Sequence, residues 1–184
     1  MQRELVERAM AGDHGAFTEL ARVSIGRLYV VARLIVRDDG IAEDATQEAL
    51  VAAWTHIGAL RDPDRFEAWI HRLLVRACYR EGGRNRRRGS VEVHVPVIES
   101  PMADASGDLA DRDQLERGFR RLDTGQRTIL VLHHYLGLSL DETAEALGVP
   151  PGTVRSRLHR ATQAMRAALE ADARSSFLNE GRPA

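Results

Sequence analysis

The 184-residue chain lacks several features that would narrow its function at once. Its only cysteine is Cys78, which excludes a disulfide within the chain and a zinc site built from cysteines. No segment approaches the roughly 18 continuous apolar residues that span a bilayer, and the first residues lack the apolar core of a secretory signal. The formal net charge is only −1, which argues against a uniformly basic, non-specific DNA binder. These absences predict a cytoplasmic protein without membrane insertion, on which any basic surface is local.

What the chain does have is helical periodicity, in a composition that is 43% hydrophobic and can therefore form cores. Apolar residues recur every three or four positions in residues 16–36, 45–57 and 66–77, the pattern of helices that pack one face into a core. Polar turn residues at 38–40 and 61–64 separate these segments. The first half of the chain is therefore predicted to be a small helical bundle.

A basic segment and a change of composition follow this bundle. Residues 72–88 contain seven arginines and only one acid, Glu81, so this is the local basic surface. From residue 89 to about residue 113 the sequence is rich in proline, glycine, serine and acids and has no helical stripe, which predicts a linker. Alternating valines between residues 91 and 97 leave a short strand as an alternative for that stretch.

Helical periodicity resumes after the linker, with helix boundaries marked by capping residues. Two pairs have the spacing of N-terminal capping boxes, a glycine closes one helix, and a proline opens the next. These are Asp123 with Gln126, Ser139 with Glu142, Gly148 and Pro151. The predicted fold is therefore all-α, with two small helical domains joined by a flexible linker. The predicted bounds are 1–88 and 114–171 for the domains, 89–113 for the linker and 172–184 for a C-terminal tail.

The stretch GVPPGTVRSRLHRA, residues 148–161, is predicted to contain the second helix of a helix-turn-helix. That motif needs a small residue where its helices cross, a glycine in the turn and apolar anchors on the second helix. Those positions are filled by Ala144, Gly148, Val154 and Leu158. The outer face then offers arginines for guanine edges and phosphates, and hydroxyls for backbone oxygens, although a solvated helix face would also explain its charges. This outer face of the second helix consists of Thr153, Arg155, Ser156, Arg157, His159 and Arg160.

These motifs resemble those of bacterial sigma factors of the sigma-70 family, in particular the compact extracytoplasmic-function class that keeps only regions 2 and 4. The likeness to region 4, which binds the minus-35 promoter element, lies in LSLDETAEALGVPPGTVRSRLHRA. The likeness to the part of region 2 that docks on the clamp helices of the polymerase β′ subunit lies in DGIAEDATQEALVAAW. The part that melts and holds the minus-10 element corresponds to RFEAWIHRLLVRACYREGGRNRRR.

The resemblance implies a factor that directs core RNA polymerase to promoters, so the polymerase would supply much of the DNA affinity that a near-neutral chain lacks. It implies minus-35 contacts by the outer face just defined. It implies minus-10 contacts by Arg61, Asp62, Arg72, Arg76 and Arg80, with a departure at Arg76, where many relatives have asparagine. It implies polymerase docking by Asp44, Gln47 and Glu48, although acids near a helix start also complement the helix dipole.

The partners implied by the resemblance are the β′ clamp helices and β flap of core RNA polymerase, promoter DNA and an anti-sigma factor. From the residues alone, a stand-alone helix-turn-helix regulator is the alternative, with residues 1–88 as a sensor or dimerisation bundle. An adaptor that binds no nucleic acid would keep its activity when Arg155 and Arg160 become alanine. An enzyme would depend on the seven histidines, but no HExxH, phosphate-binding glycine loop or nucleophile elbow occurs. We expect neither catalysis nor a metal or other cofactor.

Several side chains could serve either chemistry or core packing. Phe66 and Trp69 could stack on unpaired bases, but their spacing places them on an apolar stripe, and core positions are predicted for both. A core position is likewise predicted for Trp54. Cys78 follows Ala77 within a helical pattern, which predicts an inert thiol rather than a redox sensor.

Overall fold

The computed structural model of the chain describes residues 2–87 and 109–180, which form helices and turns without a strand. We call residues 2–87 the first unit and residues 109–180 the second unit. The prediction of an all-α fold is confirmed within these ranges. The alternating valines between residues 91 and 97 lie outside the described residues.

The first unit consists of four helices connected by short turns. They are α1 (Gln2–Met10), α2 (His14–Val36), α3 (Asp39–His56) and α4 (Phe66–Arg87). The last three correspond to the three helices predicted from apolar periodicity. The helix α1 was not predicted, because a nine-residue helix with only two buried side chains leaves little periodic signal.

Helix starts in the first unit are set by aspartate caps. The Asp13 carboxylate accepts a hydrogen bond from the backbone N–H of Ala16 at the start of α2. The Asp38 carboxylate accepts one from the N–H of Ile41 at the start of α3. Each cap satisfies an N–H that has no partner within the helix, so the turns between these helices are defined by local sequence.

Small residues on α3 allow the helices of the first unit to pack closely. The buried face of α3 is largely alanine, and larger side chains from α2 and α4 fill the space over it. The alanines are Ala42, Ala45, Ala49 and Ala53. Phe66 is buried, as predicted, and Trp69 packs half-buried against the core.

The core position predicted for Trp54 is wrong. Its side chain is 41% exposed, and its ring lies against the rings of His14 and Phe17 at the rim of the first unit. The reason is its place on α3: its neighbour Ala53 occupies the buried face, and one residue along a helix turns the side chain by about 100°.

The second unit contains four further helices. They are α5 (Leu109–Arg120), α6 (Thr124–Leu130), α7 (Leu140–Leu147) and α8 (Pro151–Glu180), and a π-helical turn, Val131–Tyr135, extends α6. The helices α5 and α8 cross at Gly118, where a Cβ would lie only 2.9 Å from Cε of Met165. A residue without a side chain therefore allows the longest helix to pack close to α5.

Two helices of the second unit extend beyond the bounds expected from sequence. The helix α5 begins at Leu109, so residues 88–108 separate it from α4. The helix α8 continues past residue 171 to Glu180. Alanine, arginine and glutamate have high helix propensity, so a helix can extend through such segments without an apolar stripe.

The caps predicted for the second unit are confirmed. Both capping boxes form, since each first residue caps the N–H three positions on and receives the reciprocal bond. Gly148 ends α7 with a φ of +66°, a left-handed conformation that favours glycine. Pro151 is the first residue of α8, where its missing N–H costs no hydrogen bond.

The two units pack against each other, with α7 on α4 and α6 on α2. Val131, Leu132 and Ala146 of the second unit belong to the hydrophobic core of the first. Phe119 and Leu147 contact both cores. The second unit's own core is smaller and consists of Leu122, Ile129, Leu130, Ala144, Val154 and Ala161.

Candidate nucleic-acid interface

The helix-turn-helix predicted from sequence is formed by α7 and α8. Ala144 of α7 is buried in the same cluster as Val154 and Ala161 of α8, and Leu158 packs against that cluster. Because these inner positions recur every three or four residues, the intervening side chains of α8 point away from the second unit. Of the predicted outer face, Thr153 is half-buried and the rest are exposed: Arg155, Ser156, Arg157, His159 and Arg160.

The arginines on the outer face of α8 are available to a ligand. Within the described ranges, no carboxylate lies at ion-pair distance from Arg155, Arg157 or Arg160. The Ser156 hydroxyl donates to the Thr153 carbonyl at 3.0 Å, and Nε of Arg160 lies 3.4 Å from the Ser156 carbonyl oxygen. Both bonds stay within α8, so the face keeps three guanidinium groups able to bind phosphates or guanine edges.

The residues predicted for minus-10 contacts fall in two places. Arg61 and Asp62 are exposed in the turn before α4, and the Asp62 carboxylate accepts the Asp64 N–H there. Arg76 and Arg80 are exposed on α4. These four side chains are therefore accessible to solvent.

Arg72, the fifth residue of that group, differs from the other four. Its side chain is half-buried, and its Nε is buried without a hydrogen-bond partner. A buried N–H of a charged group costs free energy when it is unsatisfied. In this structure Arg72 is thus not freely accessible from solvent.

One ion pair joins two of the predicted sites. Glu48, predicted to dock on polymerase, lies 2.7 Å from the Arg80 guanidinium, and the two side chains are 32% and 52% exposed. The other carboxylate oxygen of Glu48 is buried and has no hydrogen-bond partner. Asp44 and Gln47, the other two docking residues, are exposed on α3. The predicted docking set is therefore divided into two exposed residues and one internally paired acid.

Large apolar side chains continue the surface of Asp44 and Gln47 along α3. Val51 is 65% exposed and Trp54 is 41% exposed. The four positions are three or four residues apart, so they share one side of the helix. We call Asp44, Gln47, Val51 and Trp54 the α3 outer face. Its apolar part was not predicted from sequence, although the alanine stripe on the opposite side of α3 could have indicated it.

An aromatic side chain also lies within the basic surface of α4. Tyr79 is 45% exposed, adjacent to Arg80 and three residues from Arg76. Proteins that bind single-stranded nucleic acids use exposed aromatic rings between cationic side chains, because unpaired bases stack on the rings. No role for Tyr79 was predicted from sequence, because one tyrosine carries no periodic signal.

Two buried titratable groups of α4 lie within the first unit. Cys78 is fully buried, and burial raises the pKa of its thiol to about 12, in agreement with the predicted inert thiol. His71 is 1% exposed, its Nδ1 lies 2.7 Å from the Glu67 carbonyl oxygen, and its Nε2 has no partner. Burial lowers the pKa of His71, so the neutral ring is favoured.

Among residues 2–87 and 109–180, no three His, Cys, Asp or Glu side chains are grouped to hold a metal ion. None of the described helices is long and apolar enough to cross a bilayer.

The sequence matches the profiles of two protein families. Sigma-70 region 2 matches residues 20–88, and Sigma-70, region 4 matches residues 112–165. The ECF RNA polymerase sigma factor SigM of Mycobacterium tuberculosis is 34% identical over 86% of this chain and 79% of that protein. The RNA polymerase sigma-E factor of Streptomyces coelicolor is 35% identical over 87% of this chain and 89% of that protein.

Two solved structures are similar to the fold of this chain. CnrH in complex with the cytosolic domain of CnrY has a TM-score of 0.65 and 28% identity, over 93% of this chain and 98% of that one. The sigma factor RpoE of Bartonella quintana, in complex with the anti-sigma factor NepR, has a TM-score of 0.69 and 22% identity, over 85% and 98%. The second likeness bears on the fold alone.

Proposed function

The chain belongs to the ECF RNA polymerase sigma factors, and on this basis we propose that it selects promoters through two DNA contacts while α3 and the second unit contact the polymerase. It acts in transcription initiation with RNA polymerase, as members of this family do. The observation that carries the proposal is the arginine face of α8, which is exposed, turned away from the core and without carboxylate partners in the described residues. We infer that the chain acts by binding and not by catalysis.

The first DNA contact is assigned to the outer face of α8, which we propose binds the minus-35 element in the major groove. A recognition helix presents its N-terminal residues to base edges, and here those residues begin just after Pro151. Arginine forks that hydrogen-bond guanine give base preference, whereas bonds to phosphate give position only. Arg155, Arg157 and Arg160 are the candidates for the former.

The second DNA contact is assigned to the turn before α4 and to α4 itself, which we propose hold the minus-10 element. Arg61, Asp62, Arg76 and Arg80 are exposed there, and Tyr79 adds a ring for stacking on an unpaired base. Arg72 would join them only after a rearrangement that exposes its guanidinium.

The first polymerase contact is assigned to the α3 outer face, which we propose docks on the β′ clamp helices. Asp44 supplies negative charge, Gln47 supplies hydrogen bonds, and exposed Val51 and Trp54 supply apolar area that a partner can bury. Glu48 contributes only if its ion pair with Arg80 opens. We propose that the second unit contacts the β flap, as the family resemblance implies.

The segment between α4 and α5 is long enough for the two units to reach separate promoter elements. Residues 88–108, fully extended, would reach about 70 Å. Two helical turns of DNA, the scale of the separation between promoter elements, also measure about 70 Å. The two units can therefore bind separate elements while joined, and each binding event raises the effective concentration for the other.

We further propose an anti-sigma protein as a regulatory partner. RpoE of Bartonella quintana is bound to the anti-sigma factor NepR, and CnrH is bound to the cytosolic domain of CnrY. A chain of this class acts where RNA polymerase is, so we propose a cytoplasmic location for the complex. The alternative, a regulator that works alone, differs by binding specific DNA without polymerase.

Run-off transcription with purified core RNA polymerase on a library of promoter fragments tests the proposal. Arg155→Ala, Arg157→Ala and Arg160→Ala are each compared with Arg166→Ala, an exposed arginine further along α8. Loss of an arginine that hydrogen-bonds a guanine is expected to cost about 1–3 kcal/mol of binding free energy and to relax the sequence preference at one base pair. An equal loss on all fragments would instead indicate phosphate contact. Transcription that does not depend on the chain, or sequence-specific binding without polymerase, would contradict the proposal.

A further inference from the structure

The helix α4 is buried on two sides, and the second unit covers one of them. Residues 68, 72, 75 and 79 follow each other at helical spacing, and Ala68 and Val75 of this line are buried. Ala68 lines a cleft together with Leu138 and Glu145 of the second unit. The Tyr79 hydroxyl lies 3.7 Å from where a Cβ would be at Gly125 of α6. Arg72 and Tyr79 of this line belong to the proposed DNA surface, so the second unit lies against that part of it. The other four residues of the proposed surface, Arg61, Asp62, Arg76 and Arg80, stay exposed.

The C-terminal end of α2 receives a buried arginine from the second unit. Arg127 of α6 is 3% exposed, and its Nε donates to the backbone carbonyl of Ile35 at 2.8 Å. The last carbonyls of a helix have no partner within the helix and carry partial negative charge, so a guanidinium is stabilised there. Its Nη1 donates at 2.7 Å to the Leu122 carbonyl of its own unit. The side chain of Arg127 therefore joins the two units by hydrogen bonds.

The residue that caps α2 is conformationally unusual. Arg37 has a φ of +59°, the only positive φ of a non-glycine residue among the described residues. A left-handed conformation is costly for most side chains and persists where the surroundings hold it. Here the side chain reaches across to the second unit, where its guanidinium lies 3.4 Å from Glu116, and the two side chains are only 15% and 10% exposed. A glycine would suit the backbone better but could not form this pair.

A second ion pair lies at the other end of the contact between the units. Arg65, just before α4, lies 3.0 Å from Glu145 of α7. The ion pairs thus connect α2 to α5 and the turn before α4 to α7, with the shared apolar residues between them.

From these contacts we propose that the free chain is autoinhibited: the second unit closes over α4, and Arg37 and Arg127 latch it to the end of α2. The inference rests on the proposed function, since closure inhibits only if α4 must bind promoter DNA within the polymerase complex. A second unit packed on α4 cannot also lie two DNA turns away. A competent form that is a minor fraction of the chain weakens its apparent affinity for polymerase in proportion to that fraction.

The test uses the full chain with fluorophores on cysteines introduced at Val23 and Gln163, which are exposed and outside the proposed binding faces. Buried Cys78 does not compete for the dyes. Arg37→Gly removes the latch pair while giving the backbone a residue that suits its positive φ, so unfolding is not expected. Energy transfer is measured on the free chain, and affinity is measured for purified core RNA polymerase.

Arg37→Gly and Glu116→Arg are expected to lower energy transfer and to bind core polymerase about three- to tenfold more tightly. The exchange Arg37→Glu with Glu116→Arg restores opposite charges between the units and is expected to return both values part of the way to the wild type, since Glu116 also pairs with Arg120 at 3.3 Å. Arg22→Ala, which removes one exposed arginine charge from α2, is the control that changes neither. Low transfer in the wild type, or lower transfer without tighter binding, overturns the proposal.

The two proposals fail in different ways. If the wild type binds core polymerase normally and the latch variants change neither transfer nor affinity, only the autoinhibition is overturned. If no form of the chain binds core polymerase, the proposed function is overturned and the inhibitory role is lost with it.

Discussion

The two units of this protein divide their apolar surface unequally. The first unit builds its core mostly among its own helices, with alanines on α3 that let α2 and α4 approach. The second unit has a small core of its own and places Val131, Leu132 and Ala146 in the core of the first. A module with so small a core gains stability when it buries apolar side chains against a neighbouring module. The same contact that stabilises it also restrains it.

The units also differ in how their charges are used. Basic side chains of the first unit are found in ion pairs, such as Arg80 with Glu48 and Arg27 with Glu67. The arginines on the outer face of α8 have no carboxylate partner within the described ranges. Paired charges contribute to the first unit's own structure, whereas the guanidiniums of α8 are available to bind an external anion. The difference explains how a chain with a net charge of −1 can present the basic face that we propose binds DNA.

The largest expected effect tests whether the units share a core. Leu132→Ala removes a fully buried side chain at the junction and is expected to cost about 2–5 kcal/mol of unfolding free energy. Both tryptophans, Trp54 and Trp69, belong to the first unit, so their fluorescence in a urea titration reports that unit. Circular dichroism reports both. The matched control is Leu130→Ala, in the second unit's own core.

Leu132→Ala should lower the urea midpoint detected by tryptophan, and Leu130→Ala should mainly lower the midpoint of the second unit. A tryptophan transition unchanged by Leu132→Ala would mean that the two cores are independent in solution.

The next effect concerns the outward charges of the first unit. Asp44→Lys reverses an exposed charge of the α3 outer face and is expected to weaken association with core RNA polymerase about tenfold. Glu4→Lys makes the same change on α1 and serves as the control. Glu48→Lys is less informative, because it would also break the ion pair with Arg80. Equal binding by the Asp44 and Glu4 variants would remove the docking assignment.

A smaller effect follows from the buried histidine of the first unit. Burial lowers the pKa of His71, so the unfolded chain binds a proton more readily than the folded one. The contribution of neutral His71 to the free energy of unfolding is therefore fully present above the ordinary histidine pKa of 6.5. It is lost as the pH falls below that value, by at most about 1.4 kcal/mol per pH unit. His71→Phe should reduce this slope in urea titrations between pH 7.5 and 5.5, and the exposed His56→Gln should not. An unchanged slope in His71→Phe would assign the pH dependence to other groups.

The smallest expected effect is the near absence of reaction at Cys78. With the pKa of its thiol raised to about 12, only about one molecule in ten thousand is a thiolate at pH 8. Iodoacetamide should leave the folded chain unmodified in mass spectra and should alkylate it fully in urea. Rapid alkylation of the folded chain would show that α4 opens more readily than its burial indicates.

Much of the local structure could be predicted from sequence. The helices α2, α3 and α4, the capping boxes and the outward arginines of α8 follow from spacings of three and four residues, because those spacings decide which side chains share a helix face. The helix α1 was not predicted, because a short helix has too few apolar positions to show a period. Trp54 was misplaced because periodicity alone did not distinguish a large apolar residue at the rim from one inside.

What the sequence by itself determined is therefore where helices begin and end and which side of each is apolar or charged. What only the tertiary structure decided is which surface covers which. The bond from Arg127 to the Ile35 carbonyl joins residues 92 positions apart, and the pairs of Arg37 with Glu116 and Arg65 with Glu145 span similar separations. No local periodicity encodes such contacts, because they depend on how whole helices pack. That packing leaves the arginine face of α8 exposed and places the second unit on α4.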